Sequence, residues 1–410
     1  MKRFFPHLIY IYALIGAVLT LSVGGCKEEA DTWDHPKKEL DRTLIVYIAG
    51  ENSLSTFVSE DSIEIVNGLK SLPEHCRVVV YIDDTKSSRL CVGMRDHPLE
   101  TVKTYNRNVC STDSTDMEMV LYEIFKRYPA KSYGLVLWSH ATGWIFTQGR
   151  QSSINPPRRT FGIDNGNRTS SNAGRQMNVT TLSNILSHHP HLNFIFSDAC
   201  FMQCIEVAYE LREVTDWVLG SSAEIPGHGA PYNLIMPAMG EDELQPDKLL
   251  KPYYDYYISG LGALEYRGAI LSAVKTSELP QLAHATRPLV QRLLANRSQL
   301  DCSWVQRYCP LVESEYFTEF YDMADVIRMH VSDEEFQEWW AVMERAVPHR
   351  FVSTEWTTSY MSRPMHVYEP EYMSAVSMFV PSAFYDELGW MKDYHQLKWY
   401  EAVGMNSTGW

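Results

Sequence analysis

FIFSDACFMQCIEVAYEL, residues 194–211, is the stretch on which the fold reading turns. It belongs to a short apolar run, 192–196 (LNFIF), and it closes in a helical pattern over 205–211, with Asp198 and Cys200 between them. A second stretch, YGLVLWSHATGW (133–144), has the same form: an apolar run at 134–138, then His140. Unbroken apolar runs of this length fit strands buried on both faces of a parallel sheet. Working outward, 43–49 (TLIVYIA), 77–82 (RVVVYI) and 217–219 are similar runs. Helical patterns fall between them, at Ile63, Val66 and Leu69 and over 117–125. Strands alternating with amphipathic helices predict an α/β three-layer sandwich with a mostly parallel central sheet.

Beyond about residue 240 the chain reads as mainly helical and rich in Tyr and Trp, with strand-like runs at 269–274 and 375–380. No repeat or linker marks a boundary. The expected division is a core at 42–240 and a C-terminal part at 241–410 that packs on the core and extends its sheet. Residues 143–175, rich in Gly, Ser, Asn, Pro and Arg, break the pattern. So long a stretch without regular structure is usually functional or disordered.

The two reactive residues sit where chemistry is expected, since open parallel sheets bind ligands at the carboxyl ends of their strands. A Cys at a helix N-terminus would have its thiolate favoured by the helix dipole. A nearby His could act as base and later protonate a leaving amine. Backbone N–H groups of such a turn could hold an oxyanion. A lone His is usually structural and a lone Cys usually a buried hydrophobe. Their recurrence at two equivalent strand ends gives the pair its weight.

Composition narrows the class. The 410 residues are 45% hydrophobic and 21% charged with a net charge of -15, ordinary for a globular protein. No basic footprint for nucleic acid is present. Eight Cys occur, and their spacings make neither a zinc nor a disulfide framework. Lys2 and Arg3, then an apolar run over 8–23, then Gly24-Gly25-Cys26, read as a secretory signal. Its end resembles a bacterial lipobox, in which Cys26 becomes the lipidated first residue. Lys27-Glu28-Glu29 resembles the surface-export signal of Bacteroidetes lipoproteins. The expectation is a signal peptide at 1–25, a lipid-anchored tether at 26–41, and a place on the outer-membrane surface.

The His and Cys segments, together with TLIVYIAGENSLS (43–55) and SSAEIPGHGAPY (221–232), resemble the clostripain-like cysteine peptidases. These group with caspases, legumain and gingipains in a caspase-like fold. Weaker likeness continues through VSMFVP (376–381) to the region of Trp399. The resemblance implies His140 as general base and acid and Cys200 as nucleophile, with no fixed third member. It implies a protein or peptide substrate, and that Asp198 lines the S1 pocket and favours Arg or Lys at P1. The structural alternative makes Asp198 a turn residue capping the next helix.

Two departures stand out. Ala141 replaces the family's Gly, whose amide helps form the oxyanion hole; a Cβ would be unwelcome if φ were positive. His228 stands where basic-specific members place an acid, leaving Glu224 as the substitute. Relatives mature into two chains, so Arg150, Arg158 and Arg159 are candidate autocleavage points, with Pro156-Pro157 stiffening the bonds nearby.

No cofactor is required by this chemistry, although calcium stays open because the family includes calcium-activated members. Asp164-Asn165-Gly166-Asn167 is a fragment of a calcium loop. Cys200 with Cys204, and His188-His189-Pro190-His191, are weak metal candidates. The acids of 241–243 and 333–335 read as solvated helix starts. Two competing readings are a surface binding lipoprotein without turnover, favoured by Ala141, and a transpeptidase on the same dyad.

Overall fold

A computed structural model describes residues 37–105, 109–146, 161–166, 174–259, 267–309, 320–358 and 364–410. Twelve strands organise the part that matters here: β1 (Leu40–Ala49), β2 (Cys76–Asp83), β3 (Ser88–Met94), β4 (His97–Thr104), β5 (Ala130–Trp138), β6 (Phe161–Asp164), β7 (Arg175–Met177), β8 (Leu192–Asp198), β9 (Thr215–Ser221), β10 (Ile270–Lys275), β11 (Tyr321–Asp322) and β12 (His349–Val352). Nine of them form one sheet in the order β12-β10-β9-β8-β5-β1-β2-β3-β4. The five central strands, β9 to β2, run parallel. Two antiparallel strands complete each side. The expected α/β sandwich with a mostly parallel centre is therefore observed.

The apolar runs are strands because both faces are covered. Ile45, Tyr47 and Ala49 of β1 join one core, while Leu44, Val46 and Ile48 join the other. β5 divides the same way, Leu135 and Leu137 against Val136 and Trp138. The first core is closed by helices including Ser114–Arg127, Val179–Ser187 and Leu279–Leu293. The second is closed by Val58–Leu69, Tyr232–Gly240 and Pro246–Ile258. Burial of this kind contributes roughly 25 cal/mol for each Å² of apolar surface removed from water.

Several expectations need correction. The helix around Ile63, Val66 and Leu69 exists, but Ile63 and Val66 are exposed and the buried stripe is Val58, Asp61, Ile65, Gly68 and Leu69. The run at 375–380 yields only a two-residue strand, Ser377–Met378, which pairs with β11 outside the main sheet. The run at 269–274 enters the sheet as β10, and β12 extends it further. The β3–β4 hairpin was not foreseen. β4 is an exposed edge strand, His97–Thr104 (HPLETVKT), whose polar residues hide its strand character.

Candidate active site

The strand order reverses direction at β1: β2 lies on one side of it and β5 on the other. Such a switch point opens a crevice at the carboxyl ends of the strands. Loops following β1, β5, β8 and β9 meet there around a cavity of about 370 Å³, lined by Leu54, Phe57, Ser139, His140, Asp198, Cys200, Glu224 and Ile225 among others.

Register explains why His140 and Cys200 share it. β5 and β8 are adjacent and parallel, with Trp138 opposite Asp198. His140 and Cys200 are each two residues beyond that pair. A larger cleft of about 570 Å³ lies elsewhere, beside Leu300, Cys302 and Tyr321. Its Cys302 thiol is pushed up to about 12 by burial, as the Cys200 thiol is, but among the described residues no His lines that cleft.

Cys200 does not sit at a helix N-terminus. The following helix is Ile205–Leu211, with Cys204 as its N-cap, so Cys200 occupies the turn before it. Phe201, next in the chain, adopts φ 60°, a left-handed backbone that non-glycine residues rarely take. Its N–H donates to the Ala223 carbonyl at 3.2 Å, tying the turn to the end of β9. The expected lowering of the thiol by a helix dipole is therefore corrected. Cys200 as a residue is half-buried, yet desolvation dominates at its sulfur and pushes the thiol up to about 12, with the Glu224 charge adding to it. The Ile225 N–H, donating to Sγ at 3.4 Å, opposes that rise. A thiol in this setting rests protonated and needs a base when it reacts.

His140 is half-buried, and its Nε2 lies 2.8 Å from Ser53 Oγ. Its carbonyl accepts from Gly162 N–H at 2.9 Å. Ala141 is buried and bridges antiparallel to Phe161. The positive φ of this loop falls at Gly143, 62°, and not at Ala141, so the substitution costs no backbone strain.

Asp198 is buried, and its Oδ2 accepts from Ala230 N–H at 3.0 Å and Tyr232 O–H at 2.8 Å. It points these bonds at the loop after β9 and does not cap the following helix. Its Oδ1 has no protein partner. Burial raises its carboxyl to about 6, so it is largely ionised at neutral pH. Gly229 is required beside it, since a Cβ there would come within 2.7 Å of Asp198 Oδ2. Glu224 lines the cavity and accepts a bond from Thr358 Oγ1. His228 is not among the lining residues; it pairs with Glu60 at 3.1 Å and stands edge-on to Phe57.

Sequence reasoning missed Ser53 and three further residues. Asp61, buried on the helix Val58–Leu69, is raised to about 9 by burial, then by Asp198 and Glu64. Its place in a first helical turn, where acids are common, gave no signal. Thr357 and Thr358, beyond β12, bring the C-terminal part into the cavity wall. No local pattern marks them.

The metal candidates fare unequally. Cys204 is fully buried in the core. His188 and His189 face Glu118, whereas His191 faces Asp216, so the histidines do not converge. Asp164 does join Glu51 and Asp83, with ligand oxygens within 4.8 Å of one another and all three buried. Oxygen donors of this kind suit calcium. Yet Asp83 already accepts from Ser88 Oγ and Ser111 N, and Asp164 from Ser111 N and Gly166 N. Burial also raises Asp83 to about 7, which lets a proton relieve the repulsion. Those contacts orient Asp83 and Asp164 within the group. Asn167, Cys26, Arg150, Arg158 and Arg159 lie outside the described residues.

The sequence profile of the Clostripain family matches residues 46–410. A secreted C11 cysteine protease from Bacteroides thetaiotaomicron, solved with an irreversible peptide inhibitor, is 30% identical, with TM-score 0.75 over 90% of this chain and 99% of that one. An inactive zymogen C11 protease from Parabacteroides distasonis is 28% identical, with TM-score 0.73 over 90% and 99%. Another secreted C11 cysteine protease from Bacteroides thetaiotaomicron, 19% identical, shares the fold at TM-score 0.75 over 90% and 100%. No curated protein matches the chain.

Proposed function

The chain belongs to the clostripain family of cysteine proteases, and from that premise we propose that it is a surface-anchored endopeptidase with Cys200 as nucleophile and His140 as base. The observation that supports this most is the register of β5 against β8, with both side chains lining one cavity.

The thiol is protonated at rest, so attack and deprotonation go together. His140 takes the Cys200 proton as sulfur bonds to the scissile carbonyl carbon, and the carbonyl oxygen becomes an oxyanion. The same proton passes to the leaving amine as the C–N bond breaks. Water, deprotonated by His140, then attacks the thioester carbonyl; the C–S bond breaks, the acid leaves, and the imidazolium returns its proton to the Cys200 sulfur. The Ala141 amide is the expected oxyanion donor.

Asp198 supports selection of Arg or Lys at P1. It is a buried carboxylate in the cavity wall with one oxygen unsatisfied, and a cation is the group that relieves it. A P1 cation also offsets charges, Glu224 and Asp198, that hold the thiol up. Binding the right substrate would thus ease formation of the thiolate. Glu224 adds negative potential from the wall, whereas His228 contributes through its Glu60 pair at the rim.

The relative solved with an irreversible peptide inhibitor is consistent with a peptide-binding nucleophile site. The relative described as an inactive zymogen favours a stored, uncut form here too. Cutting after Arg150, Arg158 or Arg159 would separate the strands that carry His140 and Cys200, which stay paired in one sheet. Incubated wild type should yield two fragments with one of those termini, and Cys200→Ala should stay whole. A fully active single chain rejects the cutting step and leaves the dyad standing.

Anchoring rests on the lipobox-like run. Mass spectrometry of the mature terminus should find acylated Cys26, and alanines at Lys27, Glu28 and Glu29 should reduce exposure to protease on intact cells. An unmodified terminus elsewhere removes the anchor from the account. The peptidase reading itself is tested by hydrolysis of a peptide library. Cys200→Ala and His140→Ala should each abolish turnover with an unchanged melting temperature, and retained turnover in either overturns the dyad.

A further inference from the structure

We infer that Ser53 is a third, positioning member of this catalytic group, holding the His140 ring through Nε2; this rests on His140 being the base. Ser53 Oγ and His140 Nε2 are 2.8 Å apart, although the two residues are 87 positions apart in the chain. The contact joins the loop after β1 to the loop after β5, the two strands flanking the switch point.

An incidental surface contact would lack a rigid frame, and this one has it. Asn52, next to Ser53, is buried. Its Nδ2 donates to the Ala49 carbonyl at 2.9 Å and the Ile163 carbonyl at 2.9 Å, with Ser139 Oγ at 3.4 Å. Its Oδ1 accepts from Leu54 N–H at 2.8 Å. Ser139, next to His140, donates from Oγ to the same Ala49 carbonyl at 2.7 Å. Ile163 N–H donates to Ser139 Oγ at 3.3 Å. The neighbours of Ser53 and of His140 are therefore bonded to each other and to one shared carbonyl. That lock sets the distance between the hydroxyl and the ring before substrate arrives.

The chemistry follows from the tautomer. A histidine that accepts a proton at Nδ1 carries its own hydrogen on Nε2, and an oxygen beside Nε2 favours that form. Ser53 Oγ accepts this hydrogen in the neutral ring and again in the imidazolium after Cys200 has given up its proton. Proton transfer with Cys200 then falls to Nδ1. Serine thus does with a neutral hydroxyl what a carboxylate does in a charged triad, and adds no further negative charge to a cavity that already holds Asp198 and Glu224.

Steady-state kinetics on the intact protein decide it, with Ser53→Ala, Ser53→Thr and the nearby Ser55→Ala. Ser53 is exposed, so its truncation leaves no cavity. Loss of one such bond should lower kcat about three- to tenfold, with KM within about twofold. Ser53→Thr, which keeps the hydroxyl, should restore most of kcat, and Ser55→Ala should match wild type. If Ser53→Ala has wild-type or higher kcat, the positioning role is overturned. If it falls but Ser53→Thr falls equally, the hydroxyl is not the cause and the proposal also fails. His140→Ala in the same series separates the two readings. Turnover retained there removes the base assignment itself, whereas turnover lost there with Ser53→Ala unaffected removes only Ser53.

Discussion

The ends of β5 and β8 carry the same sequence pattern, an apolar strand with a reactive side chain two residues beyond its last register pair, yet they are built differently. At the end of β8 desolvation dominates at the sulfur, although Cys200 as a residue is half-buried like His140. Asp198 is buried, Phe201 is held at φ 60°, and burial dominates at the Cys200 thiol. At the end of β5 the reactive side chain is half-buried and held from another loop, through Ser53 and the Asn52–Ser139 bonds. On the proposed assignment, one end would hold the nucleophile protonated and the other would keep the base oriented. Chemistry needs them joined, and the parallel register does that.

The contrast breaks first at the nucleophile. Cys200→Ala should cost roughly 10⁴-fold or more in kcat, as removal of a nucleophile does in other covalent proteases. His140→Ala should cost somewhat less, on the order of 10²- to 10⁴-fold, because it removes proton transfer and leaves the thiol. Single-turnover rates measure both, and a near wild-type rate in either variant would contradict the division of labour.

Asp198 tests the desolvated end next. Asp198→Asn should reduce kcat/KM for P1 Arg or Lys by roughly 10- to 100-fold, the worth of a charged hydrogen bond, and leave apolar P1 substrates little changed. Acid should mimic it. Asp198 loses its charge as pH falls through about 6, so the ratio of basic to apolar P1 turnover should drop below that pH. A flat ratio from pH 7 to pH 5 would move selectivity to another residue.

Asp61 probes the same end through stability. Its carboxyl is raised from 3.8 to about 9, so the folded protein keeps a proton that the unfolded chain has already lost between those values. Stability from this group is intact below pH 4 and falls as pH rises toward 9. Asp61→Asn should therefore raise the melting temperature at pH 8 and change it little at pH 4. An equal shift at both pH values would assign the effect to packing.

The smallest effect is expected beside His140. Ala141→Gly should change kcat by no more than about twofold, because Ala141 needs no left-handed backbone. A large gain would mean that its Cβ crowds the oxyanion.

What the sequence disclosed follows the same contrast. The parallel strands were legible because each is buried on both faces, and His140 and Cys200 because they follow directly on such runs. β4 was not, since an edge strand facing water has no apolar signature. The local form at Cys200 was misread: residues 205–211 do form the helix, but the chain spends residues 199–204 in a buried turn first. Ser53, Asp61, Thr357 and Thr358 reach the site only through tertiary contacts, so no spacing in the chain could announce them.

The most direct measurement is covalent labelling of the intact protein with a peptidyl acyloxymethyl ketone carrying Lys or Arg at P1, followed by peptide mapping. A single adduct on Cys200 is expected, absent in Cys200→Ala and formed far more slowly in His140→Ala and at pH 5. Labelling on another cysteine, or labelling of Cys200 at an undiminished rate without His140, would contradict the account.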